Sequence, residues 1–172
     1  MFDPPPDRII WCYGMYPKNY NVLRDTVEFT DGIPDPESFT GDKRTILVLD
    51  DMMHSLDSRI DELFTKVSHH RSVSIIYITQ NLFFGKQQRT ISLNSHYFIL
   101  FRNIRDSSQI GVLARQMYPS RSGYDYFMES YKDATGMPFG YLVVDLRPET
   151  EDKFRLRTGV LPNQSCYVYV RK

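Results

Sequence analysis

Thr45-Ile46-Leu47-Val48-Leu49-Asp50-Asp51 is the stretch on which the reading of this chain turns. An unbroken aliphatic run, with no polar alternation, is the pattern of a strand buried on both faces, and such strands belong to parallel sheets covered by helices. The run stops at two carboxylates. Downstream, Ile60, Leu63, Phe64 and Val67 recur at helical spacing and predict a helix from Ser58 to about His69. Asp57 or Ser58 can cap its start, Asp61 and Glu62 lie in its first turn, and Lys66, His69, His70 and Arg71 crowd its end, each sign where the helix dipole favours it. Ser74 to Thr79 then reads as a second buried strand. A spacer of more than 20 residues that contains a helix fits a parallel crossover, not a hairpin.

Working outward, Arg8 to Tyr13 is a short strand ended by Gly14, and Thr26 to Phe29 another before the turn-rich Asp31-Gly32-Ile33-Pro34. On the other side, Tyr97 to Phe101 reads as a third buried strand. A helix begun by Asp106 follows, with Ile110, Leu113, Ala114 and Met117 on one face. Then come a Tyr/Phe-rich helix near Tyr124 to Asp133, a strand Tyr141 to Leu146, and β segments at Phe154 to Val160 and Cys166 to Val170. The predicted class is α/β, a mostly parallel sheet flanked by helices with a β-rich C-terminal edge, folded as a single domain over residues 1–172.

Composition agrees with a globular chain: 172 residues, 41% hydrophobic and 24% charged. No apolar run approaches the roughly 18 residues that a membrane helix needs, so no membrane partner is expected. Met1-Phe2-Asp3-Pro4-Pro5-Pro6-Asp7 has neither a basic nor an apolar leader region, so the expected location is inside the cell, with Cys12 and Cys166 as reduced thiols.

Net charge is zero, yet residues 1–70 carry 7 basic and 13 acidic side chains, while residues 71–121 carry 7 basic and one acidic. The basic segment either faces a phosphate-bearing partner or is a solvated face balancing the acidic half. Lys86 and Arg89 within it are candidate DNA or phosphate contacts.

Ligands of open α/β sheets bind outside the carboxyl ends of the strands. Three predicted strand ends carry polar groups: Asp50-Asp51, Gln80-Asn81, and Arg102-Asn103 with Arg105. If the three strands are parallel, all these groups share one edge. Acids for a metal and water, an amide to orient and guanidiniums to neutralise phosphate are the parts of a Mg²⁺-nucleotide site. Asp50 would hold Mg²⁺ through water and Asp51 would orient the attacking water. The alternative is turn chemistry, since Asp and Asn are common where strands meet loops.

No G-x-x-x-x-G-K-[ST] phosphate cradle occurs in these residues; Gly85-Lys86 is followed by Gln87. His69-His70 with His54 is a weak metal candidate, because adjacent helical side chains point about 100° apart. Neither cysteine lies in a C-x-x-C pair.

Several segments run in order over most of the chain: Arg8-Ile9-Ile10-Trp11-Cys12-Tyr13-Gly14, Ile46 through Met53, Leu63-Phe64-Thr65-Lys66 with Ser68-His69-His70-Arg71, Ile78 through Phe83, Arg89 through Tyr97, and Phe101 through Asp106. Gln116-Met117-Tyr118-Pro119 and Gly140-Tyr141-Leu142 add to them. Taken together, they resemble the FtsK/HerA-like genome-packaging ATPases of large DNA viruses and of Maverick/Polinton DNA transposons.

The resemblance implies a P-loop NTPase-like sheet in which Asp50 and Asp51 take the Walker B roles and Gln80 a polar sensor position. Arg102 or Arg105 becomes a candidate arginine finger acting across a subunit boundary. The family uses ATP and Mg²⁺, forms homo-oligomeric rings and moves double-stranded DNA into a capsid, which implies capsid or portal proteins as partners and a nucleus or viral factory as location. Where Asp51 stands, the family more widely places Glu. The chain resembles the family without its first strand, P-loop and helix, so tight nucleotide binding by these residues alone is not expected. Loss of a strand from inside the sheet leaves hydrogen-bonding edges to be covered, re-paired or left open. The other expectation is a catalytically inactive relic that serves as an interaction or DNA-contact module.

Overall fold

The computed structural model describes residues 4–14, 22–52, 57–83 and 85–171. They form two compact units, residues 1–94 and 95–172.

The first unit is built on a four-stranded sheet of order β2-β1-β3-β4, comprising β1 (Arg8–Tyr13), β2 (Glu28–Asp31), β3 (Thr45–Asp50) and β4 (Val73–Ile78). Every pairing in it is parallel. The aliphatic run that predicted a doubly buried strand is β3, which lies second from one edge and is buried from Thr45 to Leu49. Between β3 and β4 the chain is helical: α1 (Ser58–Glu62) runs into a π-helical turn (Leu63–Val67) and a last turn, α2 (Ser68–His70). Of the two predicted caps Asp57 is the one used, its carboxylate accepting the Arg59 amide at 2.9 Å. Ile60, Leu63, Phe64 and Val67 join Ile10, Cys12, Leu47, Leu49 and Val73 in one core. A further helix, α3 (Gly85–Asn94), adds Ile91 to it.

Each fully buried aliphatic side chain there contributes about 1.5–3 kcal/mol by leaving water. These contacts hold the crossover against the sheet.

The second unit has an antiparallel sheet of order β5-β6-β7-β8, with β5 (Tyr97–Phe101), β6 (Tyr141–Asp145), β7 (Leu156–Thr158) and β8 (Tyr167–Val168). Between β5 and β6 come α4 (Ser108–Met117) and α5 (Arg121–Ala134), the latter capped by the Ser120 hydroxyl on the Gly123 amide. α5 packs on β6 and β7.

Three expectations change. Tyr97–Phe101 is not a third buried strand of the parallel sheet: it pairs antiparallel with β6, sits at a sheet edge, and leaves Tyr97, Ile99 and Phe101 exposed with only Leu100 buried. An apolar run fits either a central strand or an unprotected edge, and its letters do not separate the two. β4, predicted as buried, alternates instead: Val73, Ile75 and Tyr77 pack on the core while Ile76 and Ile78 are exposed, because only one face of this edge strand is covered. The strand expected at Thr26 to Phe29 lies two residues later. What stands is an α/β fold with a four-stranded parallel sheet, helices packed against it, and an antiparallel sheet.

Candidate functional site

Parallel pairing in register brings three strand ends to one edge. Tyr13 of β1 lies opposite Asp50 of β3, and Asp50 opposite Ile78 of β4. One residue further on, the Asp51 amide donates to the Ile78 carbonyl at 3.3 Å, and Gln80 follows two residues after that carbonyl. Asp50, Asp51 and Gln80 therefore share the carboxyl edge of the first unit. Asp50 is half-buried; Asp51 and Gln80 are exposed.

Asp51 sits in the left-handed region with φ of +52°. Among residues with a side chain, Asp and Asn are enriched there because a short polar group bonds locally. Gly14, which ends β1, stands against this turn: a Cβ on it would lie 3.1 Å from the Asp51 carbonyl oxygen. A side chain at 14 would press on the backbone that presents the two carboxylates.

The loop that carries Gln80 is tied to α3. Gln88, buried on that helix, donates its Nε2 to the Tyr77 hydroxyl at 3.0 Å and lies 3.4 Å from Thr79 Oγ1. Thr79 Oγ1 donates to the Asn81 carbonyl at 3.0 Å and accepts the Asn81 amide at 3.2 Å. Burial pushes the Tyr77 hydroxyl above its ordinary pKa and the Asp51 charge adds to the shift, while hydrogen bonds with Thr79 and Gln88 work the other way. Sequence reasoning missed Tyr77 and Gln88. Gln88 occupies a helix with few apolar residues, in which only Gln88 and Ile91 are buried, so periodicity gave no signal for it.

Arg102 and Arg105 belong to the second unit, after β5, and the common edge expected for all three strand ends does not extend to them, since β5 is not a strand of the parallel sheet. Their loop is ordered by Asn103, whose Oδ1 accepts the amides of Arg105 and Asp106 at 3.0 and 3.1 Å. Its own amide donates to the Tyr131 hydroxyl at 3.1 Å, and that hydroxyl donates to the Phe101 carbonyl at 3.0 Å. Both arginines are exposed. Lys86 and Arg89 are exposed on α3, with the buried Gln88 between them in sequence. His69 and His70 are exposed in the last helical turn, and His54 lies outside the described residues.

Among the described residues no three His, Cys, Asp or Glu side chains gather to hold a metal. Two adjacent carboxylates nevertheless suit Mg²⁺, which keeps most of its waters and takes one or two carboxylates with the substrate's phosphates. No helix of the described residues is long and apolar enough to cross a membrane. No family model, curated protein or solved structure matches this chain.

Proposed function

We propose that the carboxyl edge of the parallel sheet is the metal-and-water half of a nucleotide hydrolysis site, within a FtsK/HerA-like ATPase that drives double-stranded DNA into a capsid. The observation that carries this reading is the shared edge: β3, buried from Thr45 to Leu49, ends in Asp50-Asp51, and Gln80 follows the adjacent parallel strand at the same edge. Asp50 would hold Mg²⁺ through water, Asp51 would orient a water, and Gln80 would sense the phosphate by hydrogen bonding. Arg102 or Arg105 would serve a neighbouring subunit. Bound Mg-ATP supplies the phosphoryl group and the charge neutralisation. The 172 residues carry no phosphate cradle, so no step of hydrolysis is assigned to them alone.

The test begins with the coding sequence that precedes Met1. An in-frame strand and G-x-x-x-x-G-K-[ST] segment supports the reading, and the extended chain should then hydrolyse Mg-ATP in a DNA-stimulated manner. Asp51→Asn in that chain should lower turnover about 100-fold or more, the range expected when a group that handles a proton or water is lost. An extended chain that hydrolyses ATP equally well with Asn at 51 overturns the assignment.

A second reading, an inactive interaction or DNA-contact module, is favoured by Ile76 and Ile78, left exposed on the edge strand β4. It predicts DNA binding that falls steeply with salt, and no Mg-ATP binding by residues 1–172.

A further inference from the structure

We propose that a cavity at the amino edge of the parallel sheet is a binding site for a tetrahedral phosphoryl oxyanion, separate from the carboxyl-edge site. The cavity has a volume of about 160 Å³, and Arg8, Thr40, Gly41, Asp42, Lys43 and Arg71 are among its lining residues. At roughly 30 Å³ per water it has room for a small oxyanion with its hydration. It falls well short of the roughly 300 Å³ or more of pockets that enclose a whole drug-sized ligand. The six residues of β3 separate Thr45, at its rim, from Asp50, a span of about 17 Å.

The charge of the lining points to an anion. Arg8 is held by Glu28 through Nε at 2.8 Å and Nη2 at 2.5 Å, which leaves Nη1. Arg71 gives Nη1 to the Phe39 carbonyl at 2.5 Å, and among the described residues no carboxylate pairs with it, so Nε and Nη2 remain to donate. Lys43 makes no ion pair or side-chain hydrogen bond among the described residues. Against these three cations the lining holds one carboxylate, Asp42, which already accepts the Thr40 hydroxyl. Asp42, Glu28 and Asp7 all lie within electrostatic reach of Lys43; with Glu28 paired to Arg8 and Asp7 to Arg44, the group still carries one net positive charge.

The loop backbone is shaped to approach. Gly41 has φ of +86°, and a Cβ there would lie 3.3 Å from the Arg71 Cα, so the loop lies against Arg71 with no side chain between. An oxyanion between Lys43 and Arg71 would receive charge-assisted hydrogen bonds, the strong class, from the Lys43 ammonium and from Nε and Nη2 of Arg71. Free phosphate and the phosphodiester of a nucleic-acid backbone offer the same chemistry.

Titrating the whole chain with inorganic phosphate, and separately with a short DNA duplex, while following backbone amide resonances tests this. Saturable shifts centred on Gly41, Lys43 and Arg71 are expected. Lys43→Ala, which removes no side-chain hydrogen bond or close ion pair among the described residues, should weaken binding about tenfold, the loss of one charged hydrogen bond. Arg71→Gln should do the same. Response to phosphate assigns the site to a free phosphate group, and response to the duplex alone assigns it to a phosphodiester. Absence of saturable shifts with either probe up to tens of millimolar overturns the proposal. Shifts that persist unchanged in Lys43→Ala and Arg71→Gln overturn it too, since they place the anion elsewhere. Because Asp50, Asp51 and Gln80 take no part, either outcome leaves the hydrolysis reading to its own test.

Discussion

The Asp51 amide donates to the Ile78 carbonyl, so the turn that presents the acidic pair is fastened to the strand that presents Gln80. A backbone bond of this kind fixes spacing without using either functional side chain. That bond engages neither the Asp51 carboxylate nor the Gln80 side-chain amide; main chain does the positioning.

Asp51 should be replaceable by Gly without loss of stability. A left-handed backbone costs an ordinary L-residue roughly 1–2 kcal/mol, and Gly adopts it freely. With φ at +52°, Asp51→Gly is expected to match or exceed the native chain in urea denaturation, and Asp51→Ala to fall about 1 kcal/mol below the Gly variant. A Gly variant that is clearly less stable would mean that the carboxylate serves the fold, which weakens its claim to a catalytic role.

Gln88→Leu tests the tie between α3 and the Gln80 loop. It removes the donor to Tyr77 and leaves that half-buried hydroxyl with Thr79 as its remaining partner, at a cost of about 1 kcal/mol. The local effect should exceed the global one: amide exchange at Asn81 should accelerate more than at Leu47, in the middle of β3. Equal acceleration at both positions would show that Gln88 supports the core and not the loop.

Much of this first unit could be read from its letters because burial and period agree there. The run at 46–49 predicts a strand and the spacing of Ile60, Leu63, Phe64 and Val67 a helical segment packed on it; both formed, the helix with a π-helical turn at Leu63–Val67. Tyr97–Phe101 shows the limit. Its apolar letters resemble those of β3, but its pairing partner is β6, some 40 residues away, and strand direction depends on that long-range choice. Gln88 failed for a different reason, since a buried amide leaves no hydrophobic trace. The acidic pair was legible as a motif; its closeness to Gln80 required the register.

Asp145 should prove the most sensitive charged residue of the second unit. Its buried carboxylate accepts Nη2 of Arg157 at 2.6 Å and Nη2 of Arg147 at 3.1 Å. Burial alone would push its pKa up; hydrogen bonds from the Arg147 side chain and backbone outweigh that and hold it below the ordinary range. A depressed carboxylate contributes stability at pH values above its unfolded pKa and loses it as pH falls through the folded one. Asp145→Asn is expected to cost about 2 kcal/mol near neutral pH, less than a fully buried pair because both arginines reach water, and the deficit should shrink below pH 4. A deficit that stays constant down to pH 2 would assign the loss to packing.

The two cysteines should separate by reactivity and by pH. Cys166 is exposed and Cys12 fully buried in β1, so a thiol reagent should label one site in the folded chain and the second only on unfolding. Burial pushes the Cys12 thiol from 9.0 up to about 11. Below pH 9 both folded and unfolded chains keep the proton, and the group has no effect on stability. Between pH 9 and 11 the unfolded chain releases it while the folded chain retains it, so stability falls as pH rises, by about 3 kcal/mol in all. Comparing Cys12→Ala with its parent in a Cys166→Ser background isolates this contribution, because the tyrosines that titrate at high pH are common to both. The parent's denaturation midpoint should fall more steeply over that interval. Parallel slopes would show that the Cys12 thiolate is as well solvated in the folded chain as in the unfolded one, contrary to its burial between β2 and β3.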